Sequence, residues 1–367
     1  MNFLPYLILE VYNMHFIMLQ FFMVVSLFGL LTDQDCDPFT DDYLATAFIF
    51  CGILTIAKIT LIRLNQNRML EVILTVINDW TRIKSLEARN IMMKNAKFGK
   101  TIFITYMTFS GIAIIPNICE PIISPAVTYT INSTLIDRNL GQLPLTNVCF
   151  NETMSYTALY VLQSVQILLI WPANVGSDCY FFGITMHIVG QFECLSVDFK
   201  NLGKCKNSET FRKYLAEYVQ RHSQLLRLST NLENTFNVIF LFQISASIME
   251  ICMTGLRMIV SIRTKDPVAT LNFIIIIIVL MVQIFLYCYS GSCLTIAAKN
   301  LKIATYFSNW YELSPSISKD LMFVIIRASK TFSLTAGHII EMNLESFTNI
   351  LKAVGSYFSV LQAMVEV

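Results

Sequence analysis

VATLNFIIIIIVLMVQIFLYCYS, residues 268–290, contains no charged side chain and decides the fold. A helix of ~20 mostly apolar residues spans the ~30 Å hydrocarbon core of a bilayer, and this run has that length. Working outward, six further stretches qualify: Leu4–Leu31, Tyr43–Leu64, Thr101–Ile123, Tyr156–Cys179, Phe236–Ser261 and Leu344–Val365. The whole composition agrees. Of 367 residues, 55% are hydrophobic and 14% charged, with a mean hydropathy of +0.58. A soluble domain carries about 25% charged residues. The chain is apolar from Phe3 onward, with no basic segment or small-residue cleavage site before Leu31. That stretch therefore reads as a first span and not as a signal peptide. The expected fold is all-α, a seven-helix transmembrane bundle.

The loops set an orientation. Between the second and third spans lie Arg63, Arg68, Arg82, Lys84, Arg89, Lys94, Lys97 and Lys100. Between the fourth and fifth lie Lys200, Lys204, Lys206, Arg212, Lys213, Arg221 and Arg227, and Lys299, Lys302, Lys319, Arg327 and Lys330 follow the sixth. The first loop instead holds Asp33, Asp35, Asp37, Asp41 and Asp42, and the loop after the third span has Arg138 as its one basic residue. Lysine and arginine stay cytoplasmic, so the N-terminus is expected inside and the C-terminus outside. Two glycosylation sequons, Asn132-Ser-Thr and Asn151-Glu-Thr, both fall in the loop expected outside. This is opposite to a G-protein-coupled receptor, and the Asp137-Arg138-Asn139 triplet lies where no G protein reaches it. Cys36, Cys119 and Cys149 fall on the oxidising side. A Cys119–Cys149 bridge and three free thiols both remain open, because spacing does not fix disulfide geometry.

Apolar periodicity runs past the bilayer. Leu215, Tyr218, Val219, His222, Leu225, Leu226, Leu232 and Phe236 recur at helical steps upstream of the fifth span. No Pro or Gly interrupts Phe211 to Met253, so one helix is expected, ~75 Å long if it runs on through Ser261, at 1.5 Å per residue. The fourth pattern continues through His187 and Leu195, and the sixth through Ile303, Tyr306 and Trp310. Ile317–Thr331 forms a further amphipathic stretch. Stripes of this kind need partners, so cytoplasmic extensions of helices 4–6 should build an anchor platform. The expected organisation is a ligand-binding bundle over residues 1–300, a platform over 180–235 and 291–343, and a last helix over 344–367.

The C-terminal residues carry a family resemblance. Leu334-Thr-Ala-Gly337, the Leu344–Lys352 segment with its Leu-x-x-Phe-x-x-Ile-Leu-Lys pattern, and Ser356-Tyr-x-x-x-Leu361 resemble the signature of insect odorant receptors. Tyr287-Cys-Tyr-Ser-Gly, Ala304-Thr-Tyr, Trp310-Tyr and Gly176-Ser-Asp-Cys-Tyr-Phe agree with it. The resemblance covers nearly the whole chain and includes the inverted topology. It implies an odorant-gated non-selective cation channel in the plasma membrane of olfactory sensory neuron dendrites. Four subunits, this tuning subunit together with a shared co-receptor, would surround one pore lined by the last helix, among membrane lipids. A gustatory-type channel and a metabotropic seven-helix receptor are the alternatives. No cofactor, metal or nucleic-acid partner is expected, and no H-E-x-x-H, G-x-S-x-G or Walker motif marks an enzyme.

Under that mechanism, Val360 and Met364 share one face of the last helix and match the family's apolar constriction, which closes by dewetting. Ser356 and Ser359 either bond to the backbone or line a hydrated part. Glu366 is either a cation-concentrating charge at the outer mouth or a solvated terminal carboxylate. A small apolar pocket with few polar groups is expected among Tyr43, Phe48, Ser110, Gly111, Ile114, Tyr160, Gln163, Asn272 and Phe273. Glu250, a carboxylate within the fifth span, is anomalous and reads first as a structural hydrogen-bonding group. Asp178 reads as a residue that fixes packing at the inner boundary.

Overall fold

In a hydrocarbon environment each backbone N–H and C=O must find its partner within its own segment, and helices satisfy this. The computed structural model describes residues 42–83, 85–123, 129–131, 134–136, 156–202, 208–308, 311, 315–330 and 332–366. In chain order they form α1 (Asp42–Leu64), α2 (Gln66–Arg82), α3 (Leu86–Ile123), β1 (Tyr129–Ile131), β2 (Thr134–Ile136), α4 (Tyr156–Leu202), α5 (Ser208–Thr264), α6 (Pro267–Tyr306), α7 (Pro315–Ser329), β3 (Thr335–Ala336), β4 (Ile340–Glu341) and α8 (Leu344–Glu366). The fold is all-α, with two small antiparallel strand pairs among the described residues. Among the described residues four helices, α3 to α6, are long and apolar enough to cross a membrane. The expected second and last spans coincide with α1 and α8, while Leu4–Leu31 lies outside the described residues. Phe103, Ile112, Leu168, Phe242, Met253 and Ile278 are exposed, an arrangement that lipid tails tolerate and water does not.

The long helices overrun the bilayer. α5 has 57 residues and is roughly 85 Å long, longer than the sequence pattern suggests. α4 has 47 residues and α6 has 40. Beyond the apolar spans, at the Lys/Arg-rich end, their stripes pack together. Leu195, Phe199, Leu215, Leu225, Leu301 and Leu321 are all buried in one continuous core. Amphipathic α7 closes this end. Trp310, expected to prolong α6, lies outside the described residues, and the helix ends at Tyr306.

One element departs from the sequence reading. Residues 66–82 and 86–100, read as part of a basic connection, are helical, the first as α2 and the second as an extension of α3, which begins at Leu86. Ser85 caps α3, its hydroxyl accepting the Ala88 N–H at 3.0 Å. The charges that masked this helix sit on its exposed face, while Met92 and Asn95 press against Gly190 of α4. Asn95 donates to Glu193 at 3.0 Å. α2 is fixed by its buried Asp79, which meets His187 at 3.0 Å and Arg221 at 2.6 Å. Four helices therefore overrun, not three.

Two turns place the ends of the bundle. Asp266 accepts the N–H groups of Val268 and Ala269, both at 3.1 Å, and Pro267 occupies the first turn of α6. This is a favoured helix start. At the other end, β3 and β4 form a hairpin before α8. Gly337 and His338 take φ of 59° and 58° at its turn, a conformation that glycine adopts without steric cost. Gly337 N–H donates to the Asn237 carbonyl at 2.8 Å, and Thr335 N–H donates to Glu233 at 2.9 Å, so α5 holds the hairpin. α8 then starts with Asn343 accepting the Ser346 N–H at 2.7 Å and Ser292 of α6 accepting the Leu344 N–H at 3.0 Å.

A buried polar cluster joins α1, α4, α5 and α6. Lys58 Nζ donates to Asp178 Oδ1 at 2.6 Å and to Asn174 Oδ1 at 2.5 Å. Gln283 donates to Asp178 Oδ2 at 2.6 Å, and the Tyr287 hydroxyl donates to Asp178 Oδ1. Gln243 donates to the Gln283 carbonyl at 3.0 Å. Both charged side chains are 2% exposed. Such a pair is tolerable only when hydrogen bonds satisfy its remaining atoms, and removing one partner costs about 3–5 kcal/mol. Lys58→Met is therefore expected to lower the apparent Tm of the protein in lipid nanodiscs sharply. Lys58→Met combined with Asp178→Asn should recover most of that loss. A single variant as stable as the wild type would rule out this role.

Candidate functional site

Directly against that cluster, the helices leave a chamber of about 150 Å³. Its back wall is one face of α4: Ile167, Ile170, Trp171, Asn174 and Val175 recur at three- and four-residue steps. α3 supplies Tyr106, Ser110, Ala113 and Ile114. α6 supplies Ile276, Val279, Leu280 and Gln283. Cys51 of α1 and the Glu250–Thr254 pair of α5 complete the described wall.

The polar atoms in this wall are mostly committed to each other. Trp171 Nε1 donates to Ser110 Oγ at 2.9 Å, and Ser110 donates to the Met107 carbonyl at 3.1 Å. Gly111 allows the Trp171 ring its approach, since a Cβ there would lie 3.0 Å from it. Asn174 accepts from Lys58 and donates to Cys51 Sγ at 3.2 Å. Gln283 is held between Asp178 and Gln243. Glu250 differs. Its Oε1 is buried and has no hydrogen-bond partner among the described residues, so the structural bond expected for it is not made there.

The expected pocket residues distribute unevenly. Ser110 and Ile114 line the chamber, and Gly111 sits behind Trp171. Gln163 is buried one turn from Ile167 on the same α4 face, outside the wall. The Tyr160 hydroxyl donates to the Ile118 carbonyl at 3.0 Å and ties α4 to α3. Asn272 and Phe273 are half-buried near the start of α6, away from the chamber. Tyr43 and Phe48 fall on α1, but their side chains lie outside the described residues. Trp171, Asn174 and Gln283 were missed. Their signal was available: Asn174 with Asp178, and Gln283 with Tyr287, are polar pairs four apart within apolar runs.

On α8, Ser356 and Ser359 are exposed and donate to the carbonyls of Lys352 and Gly355 at 2.9 and 3.1 Å. The side chains of Val360, Met364 and Glu366 lie outside the described residues, although the helix passes through all three. Val354 is buried, and Phe347, Ile350 and Phe358 pack against the main core. Gly255 of α5 leaves space that the Phe358 ring takes, and Gly291 of α6 leaves space for the Met342 carbonyl. The opposite face, with Leu351 and Tyr357, is exposed. Asn132, Asn151 and Cys149 lie outside the described residues, and Cys119 is half-buried near the end of α3.

Comparison with known proteins gives the chain its place. Odorant receptor 85b of Drosophila melanogaster is 21% identical over 234 residues, covering 64% of this chain and 59% of that protein. Odorant receptor 47a of the same species is 29% identical over 210 residues, covering 55% of this chain and 50% of that protein. The chain thus spans a little over half the length of the curated relatives it matches. In three dimensions it resembles the olfactory receptor OR5 of Machilis hrabei, with a TM-score of 0.71 at 15% identity over 95% of this chain and 87% of that one. The same receptor in complex with eugenol gives 0.67 at 14% identity, over 96% of this chain and 88% of that one. A family model, 7tm Odorant receptor, matches residues 39–355. The helix order, the overrunning spans and this match together show that the chain belongs to the seven-transmembrane odorant receptor family of insects.

Proposed function

We propose that this protein is the odorant-binding subunit of a ligand-gated, non-selective cation channel. It sits in the plasma membrane of olfactory sensory neuron dendrites with its N-terminus inside and its C-terminus outside. It assembles with a shared co-receptor as a tetramer around one pore, and α8 lines that pore. The observation that carries the reading is the chamber. A space of about 150 Å³ lined mainly by Ile, Leu, Val and aromatic side chains with a few polar groups has the make-up of a small-molecule pocket, and volatile odorants are molecules of that kind. The eugenol-bound relative of similar fold supports a small organic ligand.

The route from chamber to pore is short. α5 and α6 supply part of the chamber wall and also hold α8, through Gly255 against Phe358, Ser292 on the Leu344 N–H, and the hairpin on Asn237. A ligand shifts an equilibrium only by binding one state better than the other. A volatile that favours a wider chamber would draw α5 and α6 apart and α8 with them. In a tetramer, Val360 and Met364 would form the apolar constriction, Ser356 and Ser359 the hydrated stretch, and Glu366 the cation-attracting mouth. The exposed α8 face with Leu351 and Tyr357 supports a role in contact with other subunits.

Three measurements test this. Ile114→Trp, which fills the chamber, should raise the odorant concentration needed for current at least tenfold in cells co-expressing the co-receptor, with surface expression unchanged. A normal response would remove the chamber from binding. An epitope tag at the C-terminus should stain intact cells, and staining only after permeabilisation would refute the orientation and the channel together. Val360→Ser should increase current in the absence of odorant, whereas an unaltered baseline would exclude Val360 from the gate.

A further inference from the structure

Among the described residues, the chamber wall contains a buried polar atom with no hydrogen-bond partner. Ser110, Asn174 and Gln283 each have their hydrogen bonds assigned within the protein. Thr254 also has an interaction of its own. Glu250 Oε1 is buried, belongs to a residue lining the chamber, and has no hydrogen-bond partner among the described residues. An unmet buried acceptor carries the full desolvation cost of that group. A protein can remove that cost by making the bond to a ligand, and a site built this way discriminates against ligands that lack the matching group.

The cation nearest to hand is already committed. Lys58 reaches Asp178 and Asn174 below the chamber, and both bonds are short. What remains is an acceptor in a chamber whose wall is mostly Ile, Val and Leu side chains and includes the Trp171 indole. A neutral O–H donor fits that setting without bringing a second ion out of water, which is costly in an apolar site. Resting on the reading of the chamber as the odorant site, we infer that it selects small volatiles bearing a hydroxyl group, alcohols or phenols, whose O–H donates to Glu250. Ethers and hydrocarbons of the same size bury equal apolar area and leave Glu250 unmet.

Benzyl alcohol and anisole are isomers of one formula and separate these cases, with toluene as the hydrocarbon and benzylamine as the cationic donor. The full chain in lipid nanodiscs, with Trp80→Phe and Trp310→Phe so that Trp171 is the remaining tryptophan, reports binding through the fluorescence of Trp171, which lines the chamber. The expected result is benzyl alcohol binding about tenfold tighter than anisole or toluene, the ratio that one net hydrogen bond of about 1.4 kcal/mol supplies. Glu250→Gln should keep the preference, since an amide carbonyl also accepts, and Glu250→Leu should abolish it. If Glu250→Leu does not fold, the isomer ratio on the wild type decides alone. Equal binding of the isomers, or a preference that survives Glu250→Leu, overturns the assignment while leaving the chamber as a binding site. Benzylamine binding tighter than benzyl alcohol shows an ion pair and also overturns it. Binding by none of the four probes refutes the chamber itself, and the assignment with it.

Discussion

Lys58 and Asp178 meet at 2.6 Å in the interior, and the arrangement of the helices around them follows from that contact. Neither charge is tolerable alone in an apolar environment, and their attraction suffices only if the remaining donors and acceptors are filled. Asn174, Gln283 and Tyr287 fill them, and Gln243 orients Gln283 from a fourth helix. Hydrogen-bond geometry is directional, whereas lipid-like packing is not. The cluster therefore fixes the rotation of α1, α4, α5 and α6 about their own axes, which apolar side chains would leave loosely specified.

The chamber is a consequence of this rotation. Once Asn174 and Gln283 face Lys58 and Asp178, the residues a turn or so away on α4 and α6 face each other across a gap: Ile167, Ile170 and Trp171 on one side, Ile276, Val279 and Leu280 on the other. Trp171 is in turn held by Ser110, and Gly111 gives its ring room. The same α5 and α6 carry α8 through contacts so close that only glycine fits at Gly255 and Gly291. Chamber and last helix are thus joined through one pair of long helices, stiffened at the Lys/Arg-rich end by the packed overruns.

How much of this was legible follows from what each pattern encodes. The spans of α3 to α6 were legible because a long run without charges has few other physical destinations. The overruns of α4 to α6 were legible because their stripes keep helical spacing, in α5 with no Pro or Gly from Phe211 to Met253. The overrun of α3 was not, since Glu87, Arg89, Lys94 and Lys97 swamp the two buried positions, Met92 and Asn95, in any average over the segment. Lys58 passed unremarked inside an apolar run, although an intramembrane lysine is as unusual as the carboxylate at Glu250. Its meaning depends on a partner 120 residues away.

The sequence by itself determined the class of protein, the position of most helices and the family, the last through its C-terminal motifs. These are local properties: hydropathy over about 20 residues, helical periodicity and short signatures each reside in one segment. The tertiary structure decided which faces of those helices meet. It placed Ser110 and Ile114 in the chamber wall with Trp171, Asn174 and Gln283, left Tyr160 and Gln163 outside that wall, and gave Glu250 Oε1 no hydrogen-bond partner among the described residues. An apolar helix in a bilayer has no single buried stripe to betray its rotation, because lipid and protein neighbours are equally apolar. Only the assembled contacts, above all the one between Lys58 and Asp178, supply that information.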